Sequence, residues 1–238
     1  MTNLKEIIYK RKSIRKYDMT PLEKNTIEGI RKFLAEIKPL YDNIKVEYEI
    51  TEGENVRGLF AIKAPHYLII SSEAKEGYLP NAGFLLQQMD LYLQSMGLGS
   101  CWLGGAKPPA KSNLPLNFVI LLAFGKPQGN PHRSPSEFNR KPLNEISDTT
   151  DKRLEPARLA PSAINSQPWY FINEGNAFHV YRVKYGAIKN FIYDRMNQID
   201  IGIALSHLYV EYSDTFRFFT ADNPRQLKNH EYIGSVEI

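Results

Sequence analysis

A basic segment near the N-terminus contains side chains suited to binding an anion. Five of the seven residues from Lys10 to Lys16 are cationic, and Ser13 stands among them. Guanidinium groups bind phosphate through paired hydrogen bonds and a hydroxyl adds a donor, so Arg11, Ser13 and Arg15 are candidates to hold a phosphate group. For this segment alone, a solvated charged face and a nucleic-acid patch remain alternatives.

Two further segments combine glycine, proline and polar residues. Residues 97–105 read Gly-Leu-Gly-Ser-Cys-Trp-Leu-Gly-Gly, and their final pair, Gly104 and Gly105, would let the backbone approach a flat ligand closely. Without context, a double glycine indicates only a turn. Residues 160–169 read Ala-Pro-Ser-Ala-Ile-Asn-Ser-Gln-Pro-Trp, in the second half of the chain.

All three segments resemble motifs of the FMN-dependent nitroreductase family. The A-P-S-x-x-N-x-Q-P-W pattern at 160–169 is specific, whereas R-x-S-x-R at 11–15 is weak alone. Residues 97–105 match G-L-G-x-x-W-x-G-G, and residues 140–146 resemble the end of a typical family chain. The specific motif normally follows the basic segment by a few tens of residues, but here it lies more than a hundred residues downstream. This arrangement resembles a small subgroup in which one chain imitates the family homodimer.

The resemblance implies an FMN site assembled from both halves of the chain. Family members use the positions of Arg11, Ser13 and Arg15 for the FMN phosphate, and Lys12 matches a position near the ribityl chain or phosphate. The backbone of Gly104 and Gly105 corresponds to the loop beside flavin N5. The residues that correspond to the segment packing beside the ring are Pro161, Ser162, Ala163, Asn165 and Gln167.

The resemblance also implies the reaction class. We expect a ping-pong reduction of a nitroaromatic or quinone-like small molecule, with NADH or NADPH as electron donor. The cofactor would supply the chemistry, so no catalytic side chain is expected. Arg57 and Lys184 are candidates for a cation near flavin N1, although a surface arginine is the favoured interpretation of Arg57. The alternative function is a degenerate flavin-binding protein without turnover.

Composition limits the other classes of function. The 238 residues are 42% hydrophobic, enough to bury a substantial core, and the net charge of +4 is too mild to demand a nucleic-acid partner. The single cysteine, Cys101, excludes an intrachain disulfide and is interpreted as a small buried residue in a reducing compartment. No apolar run approaches the length of a membrane span and the five histidines are scattered, so we expect a cytoplasmic protein without a metal site.

Periodicity predicts alternating helices and strands. We expect an N-terminal helix capped by Asn3 and ending near Lys10. The predicted linker spans 126–150. Four other helices are predicted: one that begins at Thr20, one over 82–96, one that ends at Arg158 and one over 188–203. The predicted strands are 44–50, 67–70, 118–124, 170–172, 179–183 and a last strand at 215–220.

The predicted fold class is α+β, a nitroreductase-like fold of two half-units packed as a pseudo-dimer around mixed or antiparallel sheets with flanking helices. Residues 1–146 would carry the basic segment and the glycine loop, and residues 147–238 would carry the specific motif. One integrated domain is the alternative. Each half lacks the motif that the other keeps, so we expect one flavin per chain and a monomer or weak homodimer.

Overall fold

The computed structural model describes residues 4–53, 56–58, 61–108 and 115–238, and for residues 187–192 the backbone alone. The predicted cap at Asn3 and the side chains of Ile188 and Ile192 lie outside this description. The helices are α1 (Leu4–Ile8), α2 (Lys24–Glu36), α3 (Tyr78–Ser95), α4 (Leu143–Ile146), α5 (Glu155–Leu159) and α6 (Ala187–Glu211). The strands are β1 (Val46–Glu52), β2 (Arg57–Gly58), β3 (His66–Ser72), β4 (Gly99–Trp102), β5 (Ala106–Lys107), β6 (Asn117–Gly125), β7 (Trp169–Glu174), β8 (Ala177–Val183), β9 (Arg217–Phe219) and β10 (His230–Glu237).

Two antiparallel four-stranded sheets have the same topology. Their strand orders are β1-β3-β6-β4 and β7-β8-β10-β9, and β2 pairs with β5 in a short ribbon. In each sheet the chain first forms two neighbouring strands, then a long helix and a short edge strand. The last strand of each sheet then inserts between the second strand and the edge strand. α3 packs on the first sheet, α6 packs on the second, and the two helices pack against each other. The long helices therefore form the centre of the molecule.

The crossing of α3 and α6 is close and symmetric. A Cβ added at Gly83 would lie 2.1 Å from the carbonyl oxygen of Ile199, and one added at Gly202 would lie 1.9 Å from that of Pro80. In each helix the glycine lies three residues after the residue whose carbonyl oxygen contacts the glycine of the other helix. Only glycine leaves room for backbones at this distance, so the two residues set the separation of the helices.

A second repeated contact lies two residues before each glycine. The Asn81 Oδ1 atom accepts hydrogen bonds from the N–H groups of Leu40 (2.9 Å) and Tyr41 (3.0 Å). The Asp200 carboxyl group accepts a hydrogen bond from the N–H of Ala163, 3.1 Å from each of its oxygens. Each long helix thus holds a loop that lies before the first strand of a sheet.

A third repeated contact lies five residues after each glycine. The Gln88 side chain donates to the Lys38 carbonyl oxygen at 2.8 Å, and His207 Nδ1 lies 2.9 Å from the carbonyl oxygen of Pro156. α3 and α6 therefore play corresponding parts in the two halves of the chain.

The predicted central strands and long helix are confirmed. β3 and β6 occupy the middle of the first sheet, where β3 is buried along its whole length. α3 ends at Ser95, and Gly97 follows in the left-handed conformation with φ of 76°. Trp169 is buried at the start of β7, where its large indole anchors the core.

Two predicted element boundaries are wrong. α2 begins at Lys24 instead of Thr20, because the Asp18 carboxylate accepts hydrogen bonds from both the N–H and the hydroxyl of Thr20 in a local turn. The strand predicted at 215–220 is short and is not the last. β10 follows it and takes an inner place in the second sheet, with a register shift at Gly234 that interrupts its alternation.

The segment predicted as a linker, 126–150, packs along the basic segment instead of crossing solvent. The N–H of Asp18 donates to the Lys126 carbonyl oxygen at 2.9 Å, and the N–H of Arg133 donates to that of Lys10 at 2.9 Å. Helix lengths and hydropathies give no candidate membrane span among the residues described. No cluster of potential metal ligands occurs in that part of the chain.

Candidate active site

The three segments singled out in the sequence meet at one cleft between the halves of the chain. This main cleft has a volume of about 580 Å³ including its open mouth. The basic segment, the glycine loop, the 160–169 segment and α6 each form part of its wall. Its lining residues are Ser13, Arg15, Cys101, Trp102, Gly104, Ile120, Pro161, Ser162, Ala163, Ile164, Met196, Ile199, Asp200 and Ile203.

The basic segment runs beside β4. Ser13 forms a parallel bridge with Ser100, and the N–H of Ile14 donates to the Ser100 carbonyl oxygen at 2.9 Å. A Cβ at Gly99 would lie 2.7 Å from Ile14, so a glycine is needed for the segment to approach this closely. The approach directs Ser13 and Arg15 into the main cleft.

Arg11 occupies a buried position behind that wall. Its Nε atom donates to an Asp90 carboxylate oxygen at 2.8 Å, and its Nη2 atom lies 3.4 Å from Ser13 Oγ. Within the part of the chain that the structure describes, its buried Nη1 atom has no hydrogen-bond partner. Asp90 therefore binds one edge of the guanidinium group, and one N–H donor remains available to a ligand.

Asp90 is the centre of a buried hydrogen-bond network on α3. Besides Arg11, its carboxylate accepts from Ser100 Oγ (2.6 Å), Gln94 Nε2 (3.2 Å) and Gln87 Nε2 (2.9 Å). Four donors on two oxygens compensate the carboxylate charge, which fixes Arg11 in place. Sequence reasoning missed Asp90 because an acidic residue on a helix is usually solvent-exposed.

His207 extends this network as a neutral imidazole. Its Nδ1 faces the carbonyl oxygen of Pro156, which can only accept, so Nδ1 carries the proton and Nε2 accepts from Gln87 at 3.1 Å. Burial and the nearby charge of Arg11 lower the pKa of His207 to about 3. The side chain is therefore a packed hydrogen-bonding group.

Two arginines from the 126–150 segment add positive charge beside the cationic side chains of the basic segment. Arg133 lines a neighbouring cavity with Lys12, Ser13, Arg15 and Glu137. Burial and then the charge of Arg11 lower the pKa of Arg133. Its buried Nε atom also lacks a hydrogen-bond partner among the residues described. Arg133 was missed because its segment has the composition of a linker.

Arg140 is the second of these arginines. It donates through Nε to the carbonyl oxygen of Ala160 at 3.0 Å and through Nη1 to Asn165 Oδ1 at 2.7 Å. Burial, followed by the charges of Arg11 and Arg133, lowers its pKa to about 10. It therefore ties the 160–169 segment to the cationic group.

The cationic group has the donor chemistry that a phosphate requires. Arg11, Lys12, Arg15 and Arg133 carry positive charge, and Ser13 supplies a hydroxyl donor. The guanidinium groups of Arg11 and Arg133 each retain an unpartnered buried nitrogen, although an unsatisfied buried donor is unfavourable. A bound anion would satisfy these donors and reduce the repulsion, so the residues present fit the phosphate of FMN.

The 160–169 segment has a strained backbone. Ile164, Asn165 and Gln167 all have positive φ, at 50°, 59° and 47°. Left-handed backbone is uncommon for a residue other than glycine and unfavourable for a β-branched residue such as Ile164, so the surrounding contacts must maintain it. The N–H of Gln167 donates to Ser162 Oγ at 2.9 Å across the turn.

The residues of this segment that were predicted to contact the cofactor divide into two groups. Pro161, Ser162 and Ala163 line the main cleft. The Asn165 side chain instead donates to the Asn139 carbonyl oxygen and accepts from the Arg140 guanidinium group, and Gln167 Oε1 accepts from the N–H of Lys141 at 2.8 Å. These last two side chains hold the loop.

Asp200 lies in the wall of the main cleft below this loop. Burial raises its pKa to about 8, against the opposite effect of the hydrogen bonds from the Ala163 N–H and the Ser166 hydroxyl. A carboxyl group in the cleft is therefore largely protonated at neutral pH.

The remaining predicted residues lie in several places. Gly104 lines the cleft, where a Cβ would meet the Met196 sulfur at 2.7 Å, whereas Gly105 is exposed outside the lining. Cys101 is buried, and burial raises the pKa of its thiol, as expected for a packing residue. Arg57 is exposed on β2. Lys184 pairs with Glu231 at 3.5 Å, and neither of these two cations belongs to the lining.

A second cleft occupies the corresponding place in the other half. This aromatic cleft is lined by Pro39, Leu40, Phe84, Tyr209, Phe216, Arg217 and Phe218. Phe84 stands one residue after Gly83, as Ile203 of the main cleft stands one residue after Gly202. Among its described lining residues the one cation is Arg217, which is paired with Glu237 at 2.7 Å.

The comparisons with known proteins define the class of the chain. The model of the family described as "Putative TM nitroreductase" matches residues 3–212, so the chain belongs to this nitroreductase family. The resemblance seen in the sequence is thereby confirmed. A search of curated proteins found no match to this chain.

A solved structure shows the same fold over nearly the whole chain. A putative nitroreductase from Thermotoga maritima aligns with a TM-score of 0.66 at 21% identity, over 98% of this chain and 92% of its own. The expected α+β nitroreductase fold is therefore confirmed. A nitroreductase family protein from Clostridium difficile 630 aligns at 18% identity over 61% of this chain and 96% of its own, with a TM-score of 0.48. An FMN-dependent nitroreductase from Clostridium difficile R20291 aligns at 17% identity over 58% and 95%, with a TM-score of 0.44.

Proposed function

We propose that this chain is an FMN-dependent oxidoreductase that uses NADH or NADPH to reduce nitroaromatic or quinone-like small molecules. Membership of a nitroreductase family supports an oxidoreductase. The assignment of FMN as cofactor is supported by one observation: three motif segments meet at one cleft, beside guanidinium groups that have unpartnered buried donors. The single cysteine favours a reducing cytoplasm as its location.

The residues of the chain would bind and orient FMN. Ser13, Arg15 and Arg133, with the free Nη1 of Arg11, are suited to the phosphate, because they combine positive charge with donors at one place. Lys12 adds charge at its edge. Pro161, Ser162 and Ala163 form a wall for the ring, and Gly104, which also lines the cleft, would lie beside its edge.

When bound, FMN supplies the redox chemistry, since its ring accepts hydride from a nicotinamide and passes electrons to an acceptor. The protein provides a preorganised environment, because the Asp90 network and the strained loop fix the walls of the cleft before any ligand arrives. Apolar side chains such as Ile120 and Ile203 exclude water from its floor.

We further propose that residues 1–146 and 147–238 are two half-units that together imitate a homodimer. The equal strand orders, the reciprocal glycine contacts and the matched loop contacts of Asn81 and Asp200 support this division. One chain would then complete its own site as a monomer.

The proposal is tested by FMN binding and turnover of the purified full chain. We expect Arg15→Ala and Arg133→Ala each to weaken FMN binding at least tenfold, because a charge-assisted hydrogen bond contributes about 1.5–3 kcal/mol. Arg217→Ala is the matched control, since this arginine lines the aromatic cleft, and its FMN affinity should equal that of the wild type. Fluorescence quenching measures the dissociation constants.

Turnover is measured as oxidation of NADH or NADPH in the presence of 1,4-naphthoquinone or nitrobenzene. Reduction of either acceptor is the expected result. A protein that does not bind FMN would contradict the whole proposal. A protein that binds FMN but oxidises neither donor would instead be the degenerate flavin-binding protein.

A further inference from the structure

A side cleft adjoins the main cleft and is lined by Ile164, Ser166, Tyr185, Tyr193 and Asn197. Its volume is about 590 Å³ including its open mouth. Ile164 lines both clefts and leaves 72% of its surface exposed. Its left-handed backbone places a large apolar side chain at the border of the two spaces. The two clefts are therefore neighbours, and the apolar side chain of Ile164 forms the border between them.

Asn197 lines the side cleft and has an unused, buried hydrogen-bond donor. The residue is 1% exposed, and its Oδ1 atom lies 3.4 Å from Ser166 Oγ. Its Nδ2 atom has no hydrogen-bond partner among the residues described. Buried amides are normally satisfied, so an unpartnered N–H₂ group at a cleft indicates a ligand that brings an acceptor atom.

The other walls suit a flat aromatic ligand. Tyr185 and Tyr193 contribute rings, and Ile164 contributes an apolar surface. The Tyr185 hydroxyl lies 3.4 Å from the carbonyl oxygen of Ser166, which holds the ring against the strained loop. Aromatic side chains bind planar aromatic rings by offset or edge contacts.

The helix that forms this cleft is longer than its counterpart. α6 has 25 residues and α3 has 18. Gly202 lies 15 residues after the start of α6, whereas Gly83 lies 5 residues after the start of α3, so the additional turns are N-terminal. Tyr193 and Met196 belong to these additional turns. The extension therefore builds a wall beside the main cleft that the aromatic cleft lacks.

We infer that the side cleft binds the ring of the electron acceptor, with Asn197 Nδ2 donating a hydrogen bond to a nitro or quinone oxygen. This inference rests on the proposed function, since it needs a flavin in the main cleft. Nitro and quinone groups present the same acceptor chemistry to an amide N–H, and both occur on flat rings. Ile164 would pack against the ring at the border with the main cleft.

The first test measures binding without turnover. Oxidised FMN-loaded protein is titrated with 1,4-naphthoquinone and, separately, with naphthalene, which has the same ring system without oxygen; flavin fluorescence reports binding. We expect Asn197→Leu to weaken naphthoquinone binding at least tenfold and to leave naphthalene binding unchanged. Tyr193→Ala should weaken both ligands. Asn43→Leu, at an exposed asparagine before β1, is the matched control and should change neither.

The second test separates acceptor from donor. In steady state, Asn197→Leu should raise the KM for 1,4-naphthoquinone and for nitrobenzene at least tenfold, with unchanged FMN affinity, melting temperature and rate of flavin reduction by NADH. A rise confined to one acceptor would show which oxygen the amide recognises and would still support the inference. Wild-type KM values and naphthoquinone affinity would overturn it while leaving the proposed function intact. A rise in the KM for NADH alone would also overturn it and assign the cleft to the nicotinamide.

Discussion

Equivalent residues of α3 and α6 differ in chemistry, and one of each pair lies at or near the main cleft. Asn81 and Asp200 each accept hydrogen bonds from a loop backbone, so an amide is sufficient for that task. Asp200 is nevertheless a carboxyl group buried in the wall of the main cleft. Gln88 and His207 likewise bind a loop carbonyl oxygen from matching positions. The buried ionisable members of both pairs should make stability depend on pH.

Asp200→Asn should remove a loss of stability at high pH. Native Asp200 holds its proton up to about pH 8, whereas the unfolded carboxyl releases it near its ordinary pKa of 3.8. The native state therefore binds more protons across this window, and stability falls as pH rises through it. The advantage of the variant should grow between pH 5 and 8 by at most about 1.4 kcal/mol per pH unit. Urea unfolding at several pH values measures it, and parallel curves for the two proteins would contradict the prediction.

His207→Gln should remove a loss of stability in acid. The unfolded imidazole binds a proton below its ordinary pKa of 6.5, whereas native His207 stays neutral down to about pH 3. Wild-type stability should therefore fall as pH drops from 6.5, and the variant should fall less steeply. Thermal melts from pH 7 to 4 test this, with His230→Gln as the control for removing an imidazole. A control that flattens the acid limb equally would refute the assignment.

At the scale of elements, the crossing of α3 and α6 positions both walls of the main cleft. α3 carries the Asp90 network that holds Arg11, and α6 carries Asp200 and Ile203. Their separation depends on the glycine contacts at Gly83 and Gly202. A change in that separation would move the basic segment relative to the strained loop.

Gly202→Ala should destabilise the protein even though alanine favours helices. Its Cβ would lie 1.9 Å from the Pro80 carbonyl oxygen, so the helices would have to separate, at a cost of about 2 kcal/mol. Gly29→Ala is the opposite control, because its Cβ on α2 would meet nothing closer than 3.9 Å, at the Tyr92 hydroxyl, and should stabilise by up to about 1 kcal/mol. Chemical denaturation measures both, and stabilisation by Gly202→Ala would contradict the close crossing.

At the scale of the whole molecule, two clefts in equivalent places are lined by different kinds of side chain. The main cleft adjoins Arg11, Arg15 and Arg133, which suit a phosphate. The aromatic cleft is about as large, at about 590 Å³ including its open mouth, but aromatic rings such as those of Phe84 and Tyr209, 5.3 Å apart, form its walls. Among its described lining residues the one cation, Arg217, is paired with Glu237, so this cleft offers a phosphate much less positive charge.

The full chain should therefore bind one FMN. Titration of FMN into the apoprotein, followed by absorbance after removal of free flavin, should saturate at one flavin per chain. Arg217→Ala should leave this ratio unchanged, whereas Arg133→Ala should raise the concentration needed to reach it. Two flavins per chain would contradict the assignment of the aromatic cleft.

Local chemistry explains what could be predicted from the sequence. The central strands, the long helices and the three motif segments depend on residue types at short spacing, and each appears in the structure. The cluster of positive charge and hydrogen-bond donors at 11–15 was readable for the same reason. The start of α2 and the strand β10 were missed, because the Asp18 turn and the shift at Gly234 override the local pattern.

The sequence by itself determined the family, the α+β fold class and the three segments that meet at the main cleft. Only the tertiary structure decided which side chains reach the cleft: it buries Arg11 on Asp90, 79 residues away, and brings Arg133 from the predicted linker to the basic segment. It also turns Asn165 and Gln167 away from the cleft and leaves Asn197 with an unused donor. These outcomes depend on burial and on partners distant in the chain, which residue types at short spacing do not encode.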